Sequence, residues 1–109
     1  MTDLAGKKCV PCEGGTPSLG QAEIDKLLPE VPGWKVVEQK LVKRFEHPDF
    51  VRAMAFLNRV ADVAEAEGHH PDFCVHYNKV DFTIWTHSIG GLSDNDFILA
   101  AKIEKAMKG

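Results

Sequence analysis

The sequence of 109 residues lacks the features that mark membrane, secreted and nucleic-acid-binding proteins. No apolar run approaches the roughly 20 residues that cross a bilayer, and the amino terminus has no apolar signal-peptide core. The three cysteines are too few, and odd in number, for a disulfide framework. The formal net charge of −3 provides no basic field for a nucleic-acid backbone. We therefore expect a cytoplasmic protein that binds neither a membrane nor nucleic acid.

The residues that are present fit one globular domain. Hydrophobic residues make up 44% of the chain and charged residues 27%, which is ordinary for a folded protein. Glycine and proline are dense in residues 1–17, and this stretch is predicted to be a flexible arm. Deletion of residues 1–15 is expected to leave the activity nearly unchanged. Residues 18–109 are predicted to form the domain itself.

Cys9 and Cys12, separated by two residues, leave three interpretations open. A redox pair of the thioredoxin type would open a helix, and the glycines at 14 and 15 do not favour one. Half of a metal site is the second interpretation, although the chain has no second cysteine pair. The third interpretation is an inert arm, which the missing partners favour.

Three amphipathic stretches predict three helices. The first is expected from an N-cap at Ser18 to residue 28. The second begins at Pro48 and ends at Gly68, which suits a left-handed cap. The third follows a cap at Ser93, and its acidic first turn suits the helix dipole.

Two pairs of short strands separate these helices. The first pair is expected near residues 34–36 and 41–45, with a turn at residues 38–39. The second pair is expected at residues 73–77 and 80–86, with a turn at residues 78–79. The order indicates an α+β fold, in which three helices pack on one face of a four-stranded antiparallel sheet (α-β-β-α-β-β-α).

The densest group of chemically active side chains follows the second predicted helix. His69 and His70 come directly after Gly68, and Pro71 restricts His70 to an extended backbone. His87 lies at the far end of the last predicted strand, which can pair with the strand after Pro71 and bring a third imidazole near this loop. Imidazole exchanges protons near neutral pH, so three that converge form a candidate acid/base site.

Two other interpretations of the histidines stay open. In the first, one histidine of the adjacent pair packs as a hydrogen-bonded side chain and the other is solvated. In the second, the histidines bind zinc, although neighbouring histidines are not the usual i, i+4 chelate and no third ligand is close in sequence. Glu65 and Glu67 are expected to be solvated, although Glu65 lies one turn before His69.

The histidines and their neighbours resemble the motif of the pterin-4a-carbinolamine dehydratase family. The residues that match the motif, in order and spacing, are Glu65, His69, His70, Pro71, Tyr77, His87 and Asp96. The similarity runs from about residue 18 to the carboxyl terminus. Gly68 and Asn95 stand where animal members commonly have Asp and Arg.

The resemblance implies a four-stranded antiparallel sheet with three helices, assembled as a homodimer or homotetramer. It implies dehydration of 4a-hydroxytetrahydrobiopterin to quinonoid dihydropterin, which recycles the cofactor of aromatic amino acid hydroxylases. A functional link to such a hydroxylase is therefore expected. The pterin is the expected substrate, and neither a metal nor a cofactor is expected. The alternative is a non-catalytic regulatory, dimerisation or assembly factor with the same fold.

The family's three active-site histidines fall on His69, His70 and His87. Loss of the hydroxyl group needs one proton delivered to the leaving oxygen and one taken from a ring nitrogen. His69 and His87, which come from different elements, are the predicted proton-transfer groups, and His70 is predicted to orient the ring. The predicted substrate-binding residues, of which Glu65 would fix a histidine tautomer and Asp96 would support the site from a helix start, are Glu65, Pro71, Thr86 and Asp96.

Overall fold

A computed structural model describes residues 4–9 and 18–108 of the chain. The helices are α1 (Gln21–Leu27), α2 (Phe50–Glu67) and α3 (Asp94–Lys108), and the strands are β1 (Lys35–Val37), β2 (Lys40–Glu46), β3 (Asp72–His76) and β4 (Lys79–Ile84). Short 3₁₀ turns lie at Leu4–Gly6, Leu28–Glu30 and His87–Ile89. The strands form one antiparallel sheet in the order β1-β2-β4-β3. The predicted α+β architecture is confirmed.

Both hairpins close through two-residue turns, of which the first has left-handed backbone at both residues and the second at one. The first turn is at Glu38 and Gln39, with φ of 51° and 63°, as the pattern predicts. The second turn is at Tyr77 and Asn78, one residue earlier than predicted, and Tyr77 has φ of 57°. Asn78 is fixed there because its carbonyl accepts from the His47 amide at 2.9 Å and its side chain donates to the His47 carbonyl at 2.9 Å.

Strand alternation divides the sheet into an apolar and a polar face. The apolar face includes Phe45 and Phe82, whose rings meet edge to face with centroids 5.6 Å apart. Arg44 and Asp81 lie on the opposite face and form two hydrogen bonds, at 2.6 and 2.9 Å. The buried side chains that α2 contributes to the core are Ala53, Phe56, Leu57, Val60 and Ala64. The buried side chains of α3 are Asn95, Asp96, Phe97, Ile98, Leu99, Ala100 and Ile103.

The end of α2 matches its sequence signal, and the start of α1 does not. Gly68 has φ of 64° and its amide donates to the Ala64 carbonyl, so the predicted left-handed cap is confirmed. The predicted cap at Ser18 is wrong, because Gly20 occupies the N-cap and no side chain caps the helix. The side-chain amide of Gln21, the first residue of the helix, donates to the Asp25 carboxylate at 2.7 Å.

Residues 4–9, called the N-terminal segment below, pack onto the domain. Leu4 is 4% exposed and belongs to the hydrophobic core. The Lys102 ammonium donates to the Ala5 carbonyl, and the Cys9 amide donates to the Glu67 carboxylate, both at 2.8 Å. The expectation that the arm has little to pack is therefore wrong for these residues, while Cys12 lies outside the described residues. The domain boundary at residue 18 stays a prediction.

Within the described part of the chain, no helix is long and apolar enough to cross a membrane. Several large apolar side chains are nevertheless exposed near the start of α2 and on β3. They include Phe50, Val51 and Met54 on the helix and Phe73 on the strand. The homodimer or homotetramer stays a prediction that these exposed side chains favour.

Candidate active site

The end of α2, the start of β3 and the chain after β4 enclose a cleft of about 560 Å³. The residues that line this cleft are Cys9, Glu67, Gly68, His69, His70, Asp72, Trp85, Thr86, His87, Ser88 and Asn95. All three predicted catalytic histidines and the predicted Thr86 are therefore brought together. Glu65, Pro71 and Asp96 are not part of the lining.

His69 is held by a buried carboxylate behind it. The left-handed turn at Gly68 brings His69 back over the end of α2, where its amide donates to the Ala64 carbonyl at 3.3 Å. Its Nε2 lies 2.6 Å from Oδ1 of Asp96, which is fully buried at 0% exposure. Because Nε2 is engaged with the carboxylate, Nδ1 is the ring nitrogen left for the cleft.

Asp96 is fixed in turn by two further donors. The Thr86 hydroxyl donates to Oδ2 at 2.9 Å, and the Ser93 amide donates to the same oxygen at 2.8 Å. The second contact caps the first turn of α3, since Asp96 is the third residue of that helix. Asp96 was predicted to bind substrate and to support the site from the start of a helix. Its burial and its bond to His69 fit the supporting role, and a substrate contact stays a prediction.

His70 also meets a carboxylate, at the surface. Its Nε2 lies 2.6 Å from Oε2 of Glu65, and both side chains are largely exposed. Glu65 thus pairs with the second histidine of the motif, although it lies one turn before the first. Substrate contacts of Glu65 and Pro71 stay predictions.

His87 does not sit at the end of a strand as predicted. Strand β4 ends at Ile84, and Thr86 then forms an isolated bridge with Gly91, its amide donating to the Gly91 carbonyl at 2.9 Å. His87 begins the short 3₁₀ turn that follows. Its imidazole stacks on Trp85, with ring centroids 4.0 Å apart and planes 25° apart.

The sequence of this chain matches a known protein family over most of its length. The family model described as pterin 4 alpha carbinolamine dehydratase matches residues 17–106. The chain belongs to this family. A Rickettsia canadensis protein, provisionally named a dehydratase of this kind, is 52% identical over 95% of this chain and 97% of its own length. A provisionally named Rubrobacter xylanophilus relative is 42% identical over 96% and 99%.

Two solved structures have folds similar to the fold of this chain. A transcriptional coactivator/pterin dehydratase from Brucella melitensis is 32% identical, with a TM-score of 0.80 over 83% of this chain and 98% of its own. A pterin dehydratase-like protein identified as a RuBisCO assembly factor is 23% identical, with a TM-score of 0.58 over 68% and 86%. The second likeness concerns the fold alone.

Glu67 is a further residue of the cleft lining that was not among the predicted site residues. It was expected to be solvated, but its side chain is only 8% exposed and lies 3.8 Å from the Lys102 ammonium. The hydrogen bond from the Cys9 amide is the main reason that the Glu67 pKa is lowered, so the side chain is a carboxylate at neutral pH. A signal was present, because Glu67 continues the buried stripe of Val60 and Ala64 at helical spacing.

Cys9 also lines the cleft, and its side chain is a protonated thiol at neutral pH. Burial, with the nearby Glu67 carboxylate, raises the Cys9 pKa to about 11. Its Sγ donates to the Asn95 carbonyl at 3.6 Å. Because the thiolate is the reactive form, Cys9 is not poised for redox chemistry at neutral pH. Across residues 4–9 and 18–108, no group of three or more histidine, cysteine or acidic side chains is arranged to hold a metal ion.

Proposed function

We propose that this protein catalyses the dehydration of 4a-hydroxytetrahydrobiopterin to quinonoid dihydropterin. The observation that carries the proposal is the convergence of three imidazoles on one cleft, with one of them anchored to a buried carboxylate. The cleft volume of about 560 Å³ falls within the usual range for small-molecule sites, roughly 300–1,000 Å³. Family membership supports the same reaction class.

The reaction needs two proton transfers and no electron transfer. The C4a–O bond breaks, the hydroxyl leaves as water after it gains a proton, and the N5 proton departs as the C4a–N5 double bond forms. His69 suits removal of the N5 proton, because Asp96 accepts its Nε2–H and leaves a lone pair on Nδ1. His87 delivers the proton to the leaving oxygen. His70 binds the ring from the open side of the cleft.

Single-turnover kinetics on the purified protein test this proposal. The substrate is generated in situ, and the spontaneous dehydration rate is subtracted. His69→Ala and His87→Ala are each expected to lower turnover by about 10²- to 10⁴-fold at saturating substrate. His70→Ala is expected mainly to raise KM.

His76→Ala is the matched control, because His76 is an exposed histidine on β3 outside the cleft. It is expected to keep the wild-type rate. A wild-type protein that is no faster than the spontaneous reaction would overturn the catalytic proposal. Loss of turnover in His70→Ala alone would overturn the division of roles.

The alternative of a regulatory or assembly factor is tested by the same experiment. The names of the two solved relatives include a transcriptional coactivator and an assembly factor, and those roles are theirs. We place catalysis first because a scaffold needs no imidazole anchored to a buried carboxylate at the wall of a cleft. An inactive wild-type protein with an intact fold would favour the alternative.

A further inference from the structure

The three cleft histidines differ in what holds their rings. His69 and His70 are each bonded to a carboxylate at 2.6 Å. The described residues provide no hydrogen-bond partner for the ring nitrogens of His87. The contact that His87 does make is the stack on the Trp85 indole.

The backbone around Thr86 explains why these two rings meet. Thr86 is extended, with φ of −100° and ψ of 104°, and its bridge to Gly91 fixes that conformation. In an extended chain, side chains two positions apart project to the same side. Thr86 also contributes to the cleft lining, but its hydroxyl turns inward to Asp96. The side chains of Trp85 and His87 project from the opposite side of the extended backbone, and their rings stack at the cleft wall.

We propose that Trp85 is a positioning residue, which holds the His87 imidazole at the cleft wall by face-to-face stacking. The inference rests on the proposed function in its use of His87 as a proton donor. A stacked ring is restrained without engaging either nitrogen. One nitrogen of His87 can therefore face the substrate while the other exchanges protons with solvent, an arrangement that a carboxylate partner would block on one side.

Several charged and titratable groups surround this stack. The Lys40 ammonium, at the start of β2, lies 4.8 Å from the centre of the Trp85 indole. The other titratable groups that line the cleft are Cys9, Glu67, His69, His70 and Asp72. A pH-dependent signal from Trp85 could therefore arise from several groups, and it can be assigned to His87 only by substitution of His87 itself.

Tryptophan fluorescence tests the stack without any reference to activity. Histidine side chains in general take up a proton between about pH 8 and pH 5, and a protonated imidazole in contact with an indole quenches its emission. Wild-type emission is therefore expected to fall as the pH is lowered through this range. His87→Gln is expected to abolish this pH dependence. Trp85→Phe is expected to abolish it too, because the remaining Trp34 packs against Phe45 and Phe82. The Trp34 indole N–H donates to the carboxylate of Glu104, which is paired with Lys43, and glutamate side chains in general titrate at about pH 4.3, below this range. His76→Gln, outside the cleft, is expected to leave it intact.

Turnover then separates positioning from substrate binding. Trp85→Phe keeps an aromatic face and is expected to retain turnover within about threefold of wild type. Trp85→Leu keeps apolar bulk without a ring face and is expected to lower turnover by about 10- to 100-fold at saturating substrate, with KM little changed. Circular dichroism checks that each variant is folded.

Two results would overturn the proposal. One is wild-type fluorescence whose pH dependence survives His87→Gln. The other is a Trp85→Leu variant whose KM rises while its turnover is unchanged, since this would make Trp85 a platform for the pterin. If the wild-type protein shows no dehydratase activity but the fluorescence titration behaves as expected, the proposed function fails while the stack stands.

Discussion

The adjacent histidines make the same bond in two very different settings. His69 and His70 each lie 2.6 Å through Nε2 from a carboxylate oxygen, of Asp96 and Glu65 respectively. Asp96 is completely buried, whereas the Glu65 side chain is 78% exposed. The distance alone therefore does not show which carboxylate holds its histidine more firmly.

Burial and secondary bonds decide how well each carboxylate can hold its histidine. Asp96 accepts two further hydrogen bonds, from Thr86 and from the Ser93 amide, so its orientation is fixed by the protein. Glu65 stands in solvent, where ion pairs typically contribute about 0.2–1 kcal/mol and weaken with salt. We infer that His69 is preorganised for chemistry, while His70 can adjust to the substrate.

The largest effect is expected from Asp96→Asn. This change keeps the shape but removes the charge that compensates His69 when its ring takes up a proton, so turnover is expected to fall by about 10²- to 10⁴-fold. Disturbance of the buried bonds to Thr86 and Ser93 is expected to lower the free energy of unfolding by about 1–3 kcal/mol. Single-turnover kinetics and chemical denaturation measure the two effects.

Asp94→Asn is the matched control, because Asp94 is an exposed carboxylate in the first turn of the same helix. It is expected to keep the wild-type rate. The double variant His69→Ala with Asp96→Asn is expected to be hardly slower than either single variant, since both act through one imidazole. Additive losses would show that Asp96 acts independently of His69.

A moderate effect is expected from Glu67→Gln. Glu67 lies on α2 and, after Asp96 on α3, is the second carboxylate in this comparison that is shielded from solvent. The lowered Glu67 pKa means that the folded state favours the carboxylate, so its stabilisation is complete above its ordinary pKa of 4.5 and is lost as the pH falls through the lower folded-state value. Glu67→Gln is expected to lower the free energy of unfolding at pH 7 by about 1 kcal/mol. The difference from wild type is expected to shrink below about pH 4.5.

Chemical denaturation at pH 7 and pH 3.5 measures this change. Hydrogen exchange at the Cys9 amide provides a local readout, because that amide donates to Glu67. Its exchange is expected to accelerate in Glu67→Gln. A destabilisation that is equal at both pH values would show that the carboxylate charge is not the cause.

The smallest effect is expected from Glu65→Gln. Because the pair with His70 is exposed, turnover is expected to stay within about threefold of wild type and stability to change by less than about 1 kcal/mol. Any rise in KM is expected to diminish when the assay is repeated in high salt, since salt already screens this pair in the wild-type protein. A loss of turnover as large as that of Asp96→Asn would mean that the difference in burial does not make the Asp96 pair more important for activity than the Glu65 pair.

Local patterns were sufficient for most of the fold. Helix α2 and its cap at Gly68 follow from apolar spacing and one glycine, and the turn at Glu38 and Gln39 was placed correctly. The three histidines were identified from the motif, and the structure brings them to one cleft. These features depend on residues that are close in sequence or on a spacing that can be read directly.

Several of the errors arise from distant contacts. The second turn is shifted because Asn78 bonds to the backbone of His47, which is 31 residues away. The N-terminal segment packs through Lys102, which is 97 residues from Ala5. The motif named both His69 and Asp96, but no sequence spacing shows that one is bonded to the other while buried. Such pairings require the folded chain.

The Asp96 carboxylate both orients His69 and caps α3, so its loss would affect the fold as well as the site. One oxygen of the carboxylate, Oδ1, orients His69, and the other, Oδ2, accepts from the Ser93 amide at the beginning of α3. A lineage that abandoned the chemistry would still gain a better-folded helix by retaining this acid. Asp96 by itself is therefore a poor marker of activity among relatives, whereas His69 and His87 have no structural duty in α3 that would preserve them after the chemistry is lost.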